Sequence, residues 1–170
     1  PVTWGLDRLA ALALVPMVDP EVVDIAIKAG VGSEIHVTIG AKQSADYHQP
    51  LDLTAKVLAI GGGRIEAGVI GIDSFDMGRA VLLAAGSVRI VVSETEGIGG
   101  NHPIVYRHFG IEPADAKMVV LKTASNFQYY ADMSSELIRA DTAGATMSDL
   151  AKFEWKHLPR PIYPFDRFDG

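Results

Sequence analysis

The sequence has 170 residues and a mass of 18.2 kDa, with 15 basic side chains against 21 acidic ones, a net charge of −6 and a pI near 5.3. Hydrophobic residues at 48% and charged residues at 21% are the mix of a globular domain, which excludes a disordered chain, and an acidic balance without blocks of like charge argues against non-specific nucleic-acid binding. With 0 cysteines there is no disulfide scaffold, thiolate metal site or cysteine nucleophile, and without a long apolar run or a basic–apolar–small leader pattern the expectation is a soluble, cytoplasmic single domain over 1–170, with no membrane partner. The chain opens on Pro1 with no Met before it, which fits either Met removal or a cut from a longer polypeptide.

Leu6, Leu9, Ala10 and Ala13 recur at the spacing of a helix face, so a helix is expected over 4–15, closed by Pro16. A second helix over 20–29 has complete punctuation: Asp19 as N-cap, Pro20 in the first position, Glu21 at the positive end of the dipole, Lys28 in the last turn and Gly30 beyond it. The period then changes to two. Ile35, Val37 and Ile39 alternate with His36 and Thr38 as in a half-buried strand, and Leu51, Leu53, Ala55, Val57 and Ala59 repeat the pattern. Gly61-Gly62-Gly63 reads as the turn of a hairpin whose return strand carries Ile65, Ala67 and Val69, and a second hairpin joins 79–85 to 88–93 through Gly86-Ser87.

The last third alternates strand and helix: strand 88–93, a Gly-rich loop, a helix near 103–109, strand 117–122, a helix near 126–133 and strand 135–140. This is the order of parallel crossover units. Ser148 can cap a short helix over 149–155, and the tail 158–170, with three prolines between Leu158 and Asp166, is expected to be extended. The elements add up to an α/β (mixed α+β) fold, with N-terminal helices, antiparallel hairpins and C-terminal βαβ-type units on one mixed sheet.

The five histidines, His36, His48, His102, His108 and His157, show neither H-x-x-x-H nor H-E-x-x-H spacing. His102 and His108 lie near Glu94 and Glu96, an imaginable ligand set, against the plain alternative of surface and loop histidines; no metal ligand is assigned. Gly61-Gly62-Gly63-Arg64 sits between two strands and lacks the Gly-Lys-Ser/Thr of a P-loop. Gly97-Ile98-Gly99-Gly100-Asn101 follows a strand and opens a helix, where free N–H groups can hold an anion, although it is not G-x-G-x-x-G. Ser93, Ser125, Ser134 and Ser135 lack the G-x-S-x-G context of a hydrolase nucleophile. Met118–Leu121 is a buried-type strand running into Lys122-Thr123-Ala124-Ser125-Asn126-Phe127, and polar residues at the carboxyl end of a parallel strand sit where open α/β sheets bind ligands. Lys122 could neutralise an anion and Asn126 could bond an amide; equally, Lys122 could be solvated and Ser125 could cap the next helix.

Taken in order, Met77-Gly78-Arg79-Ala80-Val81-Leu82 before Val88–Ser93, His108-Phe109-Gly110-Ile111-Glu112-Pro113 before Met118–Thr123, and the ending Arg160-Pro161-Ile162-Tyr163-Pro164-Phe165-Asp166 resemble the C-terminal domain of the microcystinase C (MlrC) family of zinc metallopeptidases. The likeness runs from about residue 15 to 166. It implies a longer protein whose larger N-terminal domain carries the zinc ligands, a carboxylate and histidine set, so that this chain would be a truncated or proteolytic piece beginning after that domain. Where the family commonly has K-S-x-x-H-F, Lys122 and Phe127 match, while Thr123 and Asn126 replace the Ser and the His. Where the family often has two arginines after the strand, this chain has Glu94-Thr95.

The resemblance implies a C-terminal, substrate-cleft-forming domain of a zinc-dependent peptide or amide hydrolase, silent on its own. Lys122 would meet a substrate carboxylate or a developing oxyanion, and Thr123, Asn126, Gly99, Gly100 and Asn101 would add polar contacts. By the same resemblance, zinc would belong to the full-length protein. The partners would be the N-terminal catalytic domain, a small peptide-like substrate and, in a homo-oligomer, a second copy. Two other readings stand beside it: a structural or assembly module, motivated by the apolar stretch Leu6 to Val15, and a small anionic-ligand-binding domain without catalysis of its own.

Overall fold

The computed structural model describes residues 11–42, 48–69, 72–96, 101–123, 126–140, 142, 149–152 and 155–167. Two compact units divide the chain, Pro1–Leu137 and Ile138–Gly170, and each is described by itself.

The first unit is built on a six-stranded mixed sheet. Its strands are β1 (Ala13–Val18), β2 (Glu34–Ile39), β3 (Leu51–Val69), β4 (Ile72–Ala85), β5 (Val88–Ser93) and β6 (Met118–Val119), in the order β2-β3-β4-β5-β1-β6. β2 to β5 pair antiparallel in sequence, whereas β1 lies between β5 and β6 and is parallel to both. The fold is the expected mixed α/β one.

The helix expected over 4–15 is overturned where it is described: Ala13–Val18 is a strand, Pro16 lies inside it, and residues 1–10 fall outside the described residues. A short apolar run suits a helix or a fully buried strand equally, and burial between two parallel neighbours decides for the strand. Pro16 is tolerated for a backbone reason. The N–H groups of Ala13 and Asp19 reach Ser87 and Ser93 on the β5 side, while the carbonyls of Leu12 and Leu14 accept from Lys117 and Val120 on the β6 side. Pro16 has the parity of Leu14, so its missing N–H faces the β6 side. The strand expected over 117–122 is accordingly shortened to Met118–Val119, because the next donor for it on β1 would be that proline.

Helix α1 (Pro20–Ala29) forms as its punctuation predicts: the Asp19 carboxylate accepts from the Val22 N–H at 3.3 Å, and Gly30 ends the helix at φ +84°. Val22, Val23 and Ala26 bury one face of it against Ala13, Val15, Ile35, Val37, Leu53, Val57, Val81, Leu83, Val88, Ile90 and Val92. The other face of the sheet carries Leu14, Ala80, Leu82 and Val91, covered by Val105 and Tyr106 of helix α2 (Pro103–His108) and by Ile65 and Met77. Residues alternate between the two cores along β1, β4 and β5, as a pleated strand buried on both sides requires. β2 has one buried face only. Its outer residues His36 and Thr38 bond across to Thr54 and Asp52 at 2.7 Å.

Gly61-Gly62-Gly63 is not a hairpin turn. β3 runs through it without interruption, and the hairpin closes beyond Val69. The glycines instead serve a bulge: the β3–β4 register shifts between Gly62 and Arg64, with φ +97° at Gly62 and +77° at Gly63. A Cβ on Gly62 would stand 2.3 Å from the Gly78 carbonyl oxygen, so two backbones touch there. Beyond Val57 on β3 and Met77 on β4 the two strands pair only with each other, a ribbon that folds Ile65 and Phe75 onto the α2 side. The Gly86-Ser87 hairpin between β4 and β5 is as expected.

Residues 126–133 are helical, as a 3-10 helix (Asn126–Met133). No strand forms over 135–140: Leu137 and Ile138 are exposed, and no neighbouring strand offers them a ladder. In the second unit, a 3-10 helix (Leu150–Lys152) stands within the helix expected over 149–155, while Ser148 lies outside the described residues. The tail is turned, not extended. The N–H groups of Phe165 and Asp166 both reach the Ile162 carbonyl at 3.0 Å, and Asp166 returns its carboxylate to the Ile162 N–H at 2.7 Å and to the Arg160 guanidinium at 3.1 Å.

Candidate functional site

Since β1, β5 and β6 are parallel, their carboxyl ends open on one edge of the sheet, where ligands bind in such topologies. Asp19 follows β1, Glu94 follows β5, and Lys122 lies shortly after β6. Lys122 and Asn101, both expected as contacts, do come together: the Asn101 side-chain oxygen accepts from the Lys122 backbone N–H at 3.2 Å. That bond ties the segment after β6 to the residue that precedes α2.

The Lys122 ammonium lies 3.1 Å from the Met17 sulfur and, among the described residues, meets no carboxylate. Although the residue remains exposed, the protein around its head displaces water and holds its pKa below the ordinary lysine value. A thioether is a weak acceptor, so this cation is poorly compensated. Thr123 and Asn126 also meet, through the backbone: the Thr123 hydroxyl accepts from the Asn126 N–H at 3.1 Å at the start of the 3-10 helix, a capping role that one of the two readings of this segment gives to Ser125. Ser125, Gly99 and Gly100 lie outside the described residues.

Met17 is held from the other side. Asp19, 2% exposed, accepts from Val22 N–H, from Gly40 N–H at 3.3 Å and from the Lys42 ammonium at 2.8 Å, and Lys42 also reaches Glu21. The carboxylates raise the Lys42 pKa, although desolvation opposes them. A Cβ on Gly40 would stand 3.1 Å from the Met17 methyl group. The end of β2 thus meets the end of β1, four places away in strand order. Met17, Gly40 and Lys42 were not expected here. The sequence marks Asp19 only as a helix cap, since nothing local announces a partner 23 residues away.

His102 is 7% exposed and caps α2, its Nδ1 accepting from the Ile104 N–H at 3.2 Å. Its ring lies 4.6 Å from that of Tyr129 in the 3-10 helix. Burial, aided by the Arg107 charge, pushes its pKa down. Below it the Tyr106 hydroxyl is buried without a hydrogen-bond partner among the described residues, and burial pushes the Tyr106 and Tyr130 phenols up.

Glu94 does not present a free negative charge where the resembled family has arginines. The Arg79 guanidinium and backbone N–H both bond it and hold its carboxyl below the usual carboxylate range, and Arg79 also pairs with Asp24 at 2.8 Å. The Ser93 hydroxyl donates to the Thr95 carbonyl at 2.9 Å, a structural bond. His108 accepts at Nε2 from the Gly62 N–H at 3.4 Å, at the opposite end of α2 from His102. Among the described residues no three His, Asp or Glu side chains converge to hold a metal ion. The described residues therefore do not fit a zinc centre. No helix among them is long and apolar enough to cross a membrane.

Residues 2–157 match the family described as MlrC C-terminus. Microcystinase C from Sphingomonas sp. is 25% identical over 152 residues, which are 89% of this chain and 29% of that protein. A crystal structure of a protein from Mesorhizobium sp. BNC1, named "Putative metallopeptidase", superposes with a TM-score of 0.78 at 24% identity, covering 99% of this chain and 34% of that one. The chain spans about a third of the length of each.

Proposed function

Because the chain belongs to the MlrC C-terminus family, we propose that it is the substrate-cleft-forming domain of a longer zinc-dependent peptide or amide hydrolase, with the zinc centre in a part that this chain does not span. The observation that carries the proposal is Lys122: an ammonium at the carboxyl edge of the parallel strands, desolvated and without an acidic partner among the described residues. A cation so placed favours an incoming anion, which here is a carboxylate of a peptide-like substrate or charge developing on its carbonyl oxygen. Asn101 orients the Lys122 backbone, and Thr123 fixes the start of the helix that carries Asn126. Gly99 and Gly100 directly precede Asn101 in the sequence. No bond-breaking step is assigned to residues of this chain.

Replacing Lys122 by Ala in the full-length protein is expected to lower kcat/KM for peptide hydrolysis at least tenfold, about 1.4 kcal/mol, with an unchanged melting temperature. Lys122→Arg should retain part of the activity. Unaltered hydrolysis in Lys122→Ala would overturn the cleft role.

A further inference from the structure

The second unit contains a recess of about 300 Å³ lined by Ala151, Trp155, Arg160 and Phe165. We propose that it is a binding site for an aromatic carboxylate. That volume is at the lower end of small-ligand pockets, and the described lining has their chemistry: apolar and aromatic walls with, among the described residues, one charged group. The Trp155 and Phe165 rings stand 6.0 Å apart and 48° from parallel, so a flat ring can lie on one face and meet the edge of the other. The Trp155 indole N–H donates to the Leu150 carbonyl at 2.8 Å, and Phe165 is held by the Ile162 turn.

Arg160 supplies the anion preference. Asp166 occupies one of its nitrogens at 3.1 Å, and the same carboxylate is shared with the Ile162 N–H. A guanidinium carries five donors in a planar fork, so one partner leaves others for a ligand carboxylate while holding the fork against the recess. A cation over aromatic walls would still admit a neutral ring; the carboxylate is what selects Arg160 over a second apolar residue.

The test uses the 170-residue chain with Trp4 replaced by Phe, so that Trp155 is the only tryptophan and its fluorescence reports on the recess. Phenylacetate is expected to change that fluorescence saturably, and phenylacetamide, which lacks the charge, to bind at least tenfold more weakly. Arg160→Gln should weaken phenylacetate at least tenfold. Ala151→Leu, which fills the recess and leaves the Arg160–Asp166 pair intact, should do the same, and it keeps the proposal testable if Arg160→Gln loosens the tail. N-acetylphenylalanine binding as well as phenylacetate would assign the terminal residue of a peptide, and weaker binding would assign a free acid; both support the site. No saturable change, equal affinity for acid and amide, or unchanged binding in Ala151→Leu would overturn it.

Discussion

Tyr106 carries a hydroxyl that burial strips of water and that meets no partner among the described residues. An unsatisfied buried hydroxyl costs about 1–3 kcal/mol. Tyr106→Phe is therefore expected to leave stability unchanged or raise it by about 1 kcal/mol in urea denaturation; a loss would reveal a bond to the hydroxyl. His102 has the opposite standing, since its ring acceptor caps α2. Its pKa in the folded chain lies below the ordinary 6.5 because burial and then the Arg107 charge disfavour the imidazolium. The unfolded chain thus takes up a proton that the folded one resists. Stability should be full above about pH 6.5, fall as the pH drops below it, and level off below the folded value. In His102→Asn, which keeps an acceptor at the cap but cannot titrate, the midpoint of denaturation should change less between pH 7 and pH 5. An equal slope would place the titration elsewhere.

Among the elements, β3 shows how one residue type serves two opposite purposes. A glycine run ends a strand when the chain must reverse, and continues it when a bulge needs φ > 0 or a neighbouring backbone comes close. Three successive glycines carry no mark that distinguishes the cases, and the partner strand decides. At Gly62 the Gly78 carbonyl and the Ala80 nitrogen stand 2.3 and 2.5 Å from where a Cβ would be, whereas Gly63 has nothing within 4 Å. Gly62→Ala is expected to cost more than about 3 kcal/mol, combining backbone strain with displacement of β4, and Gly63→Ala only about 1–2 kcal/mol for its positive φ. Equal losses on chemical denaturation would contradict the close approach. Helix α1 is the contrasting element. Asp19, Pro20, Glu21, Lys28 and Gly30 act within one or two turns, so its bounds are legible without any partner. β1 departs from its expected helix for the converse reason: the helix-face spacing that ends at Ala13 runs into the unbroken apolar stretch Ala13–Val18, and only the flanking β5 and β6 settle that stretch as a strand.

For the whole molecule, the shared edge of β1, β5 and β6 brings Lys122 beside Met17, 105 positions earlier in the chain. The same edge gathers Asp19, Gly40 and Lys42. Among the described residues it shows no ligand set: His102 is committed to a helix cap, Glu94 to Arg79, and His108 to the Gly62 N–H. Purified chain exposed to zinc and dialysed should hold no stoichiometric metal by plasma mass spectrometry. One tightly bound zinc per chain would relocate the catalytic centre into this domain, with His102 and His108 as the first residues to replace.

By itself the sequence determined what acts over short range: the capped helix α1, the alternation of β2, the hairpin at Gly86-Ser87, the placing of polar residues where a parallel strand ends, and the family, whose motifs survive as an ordered series. Lys122 and Asn101 were legible as candidates because strand-end position is a local property. Tertiary structure decided whatever depends on a distant partner: the strand identity of β1, the continuity of β3 through its glycines, the shortening of β6 by Pro16 and the turned tail. It also decided that Glu94 is neutralised by Arg79 and that Lys122 rests on a thioether. Hydrogen-bond ladders, close backbone approach and charge pairing all fall off within a few ångströms, and sequence separation carries no record of which residues the fold brings that near.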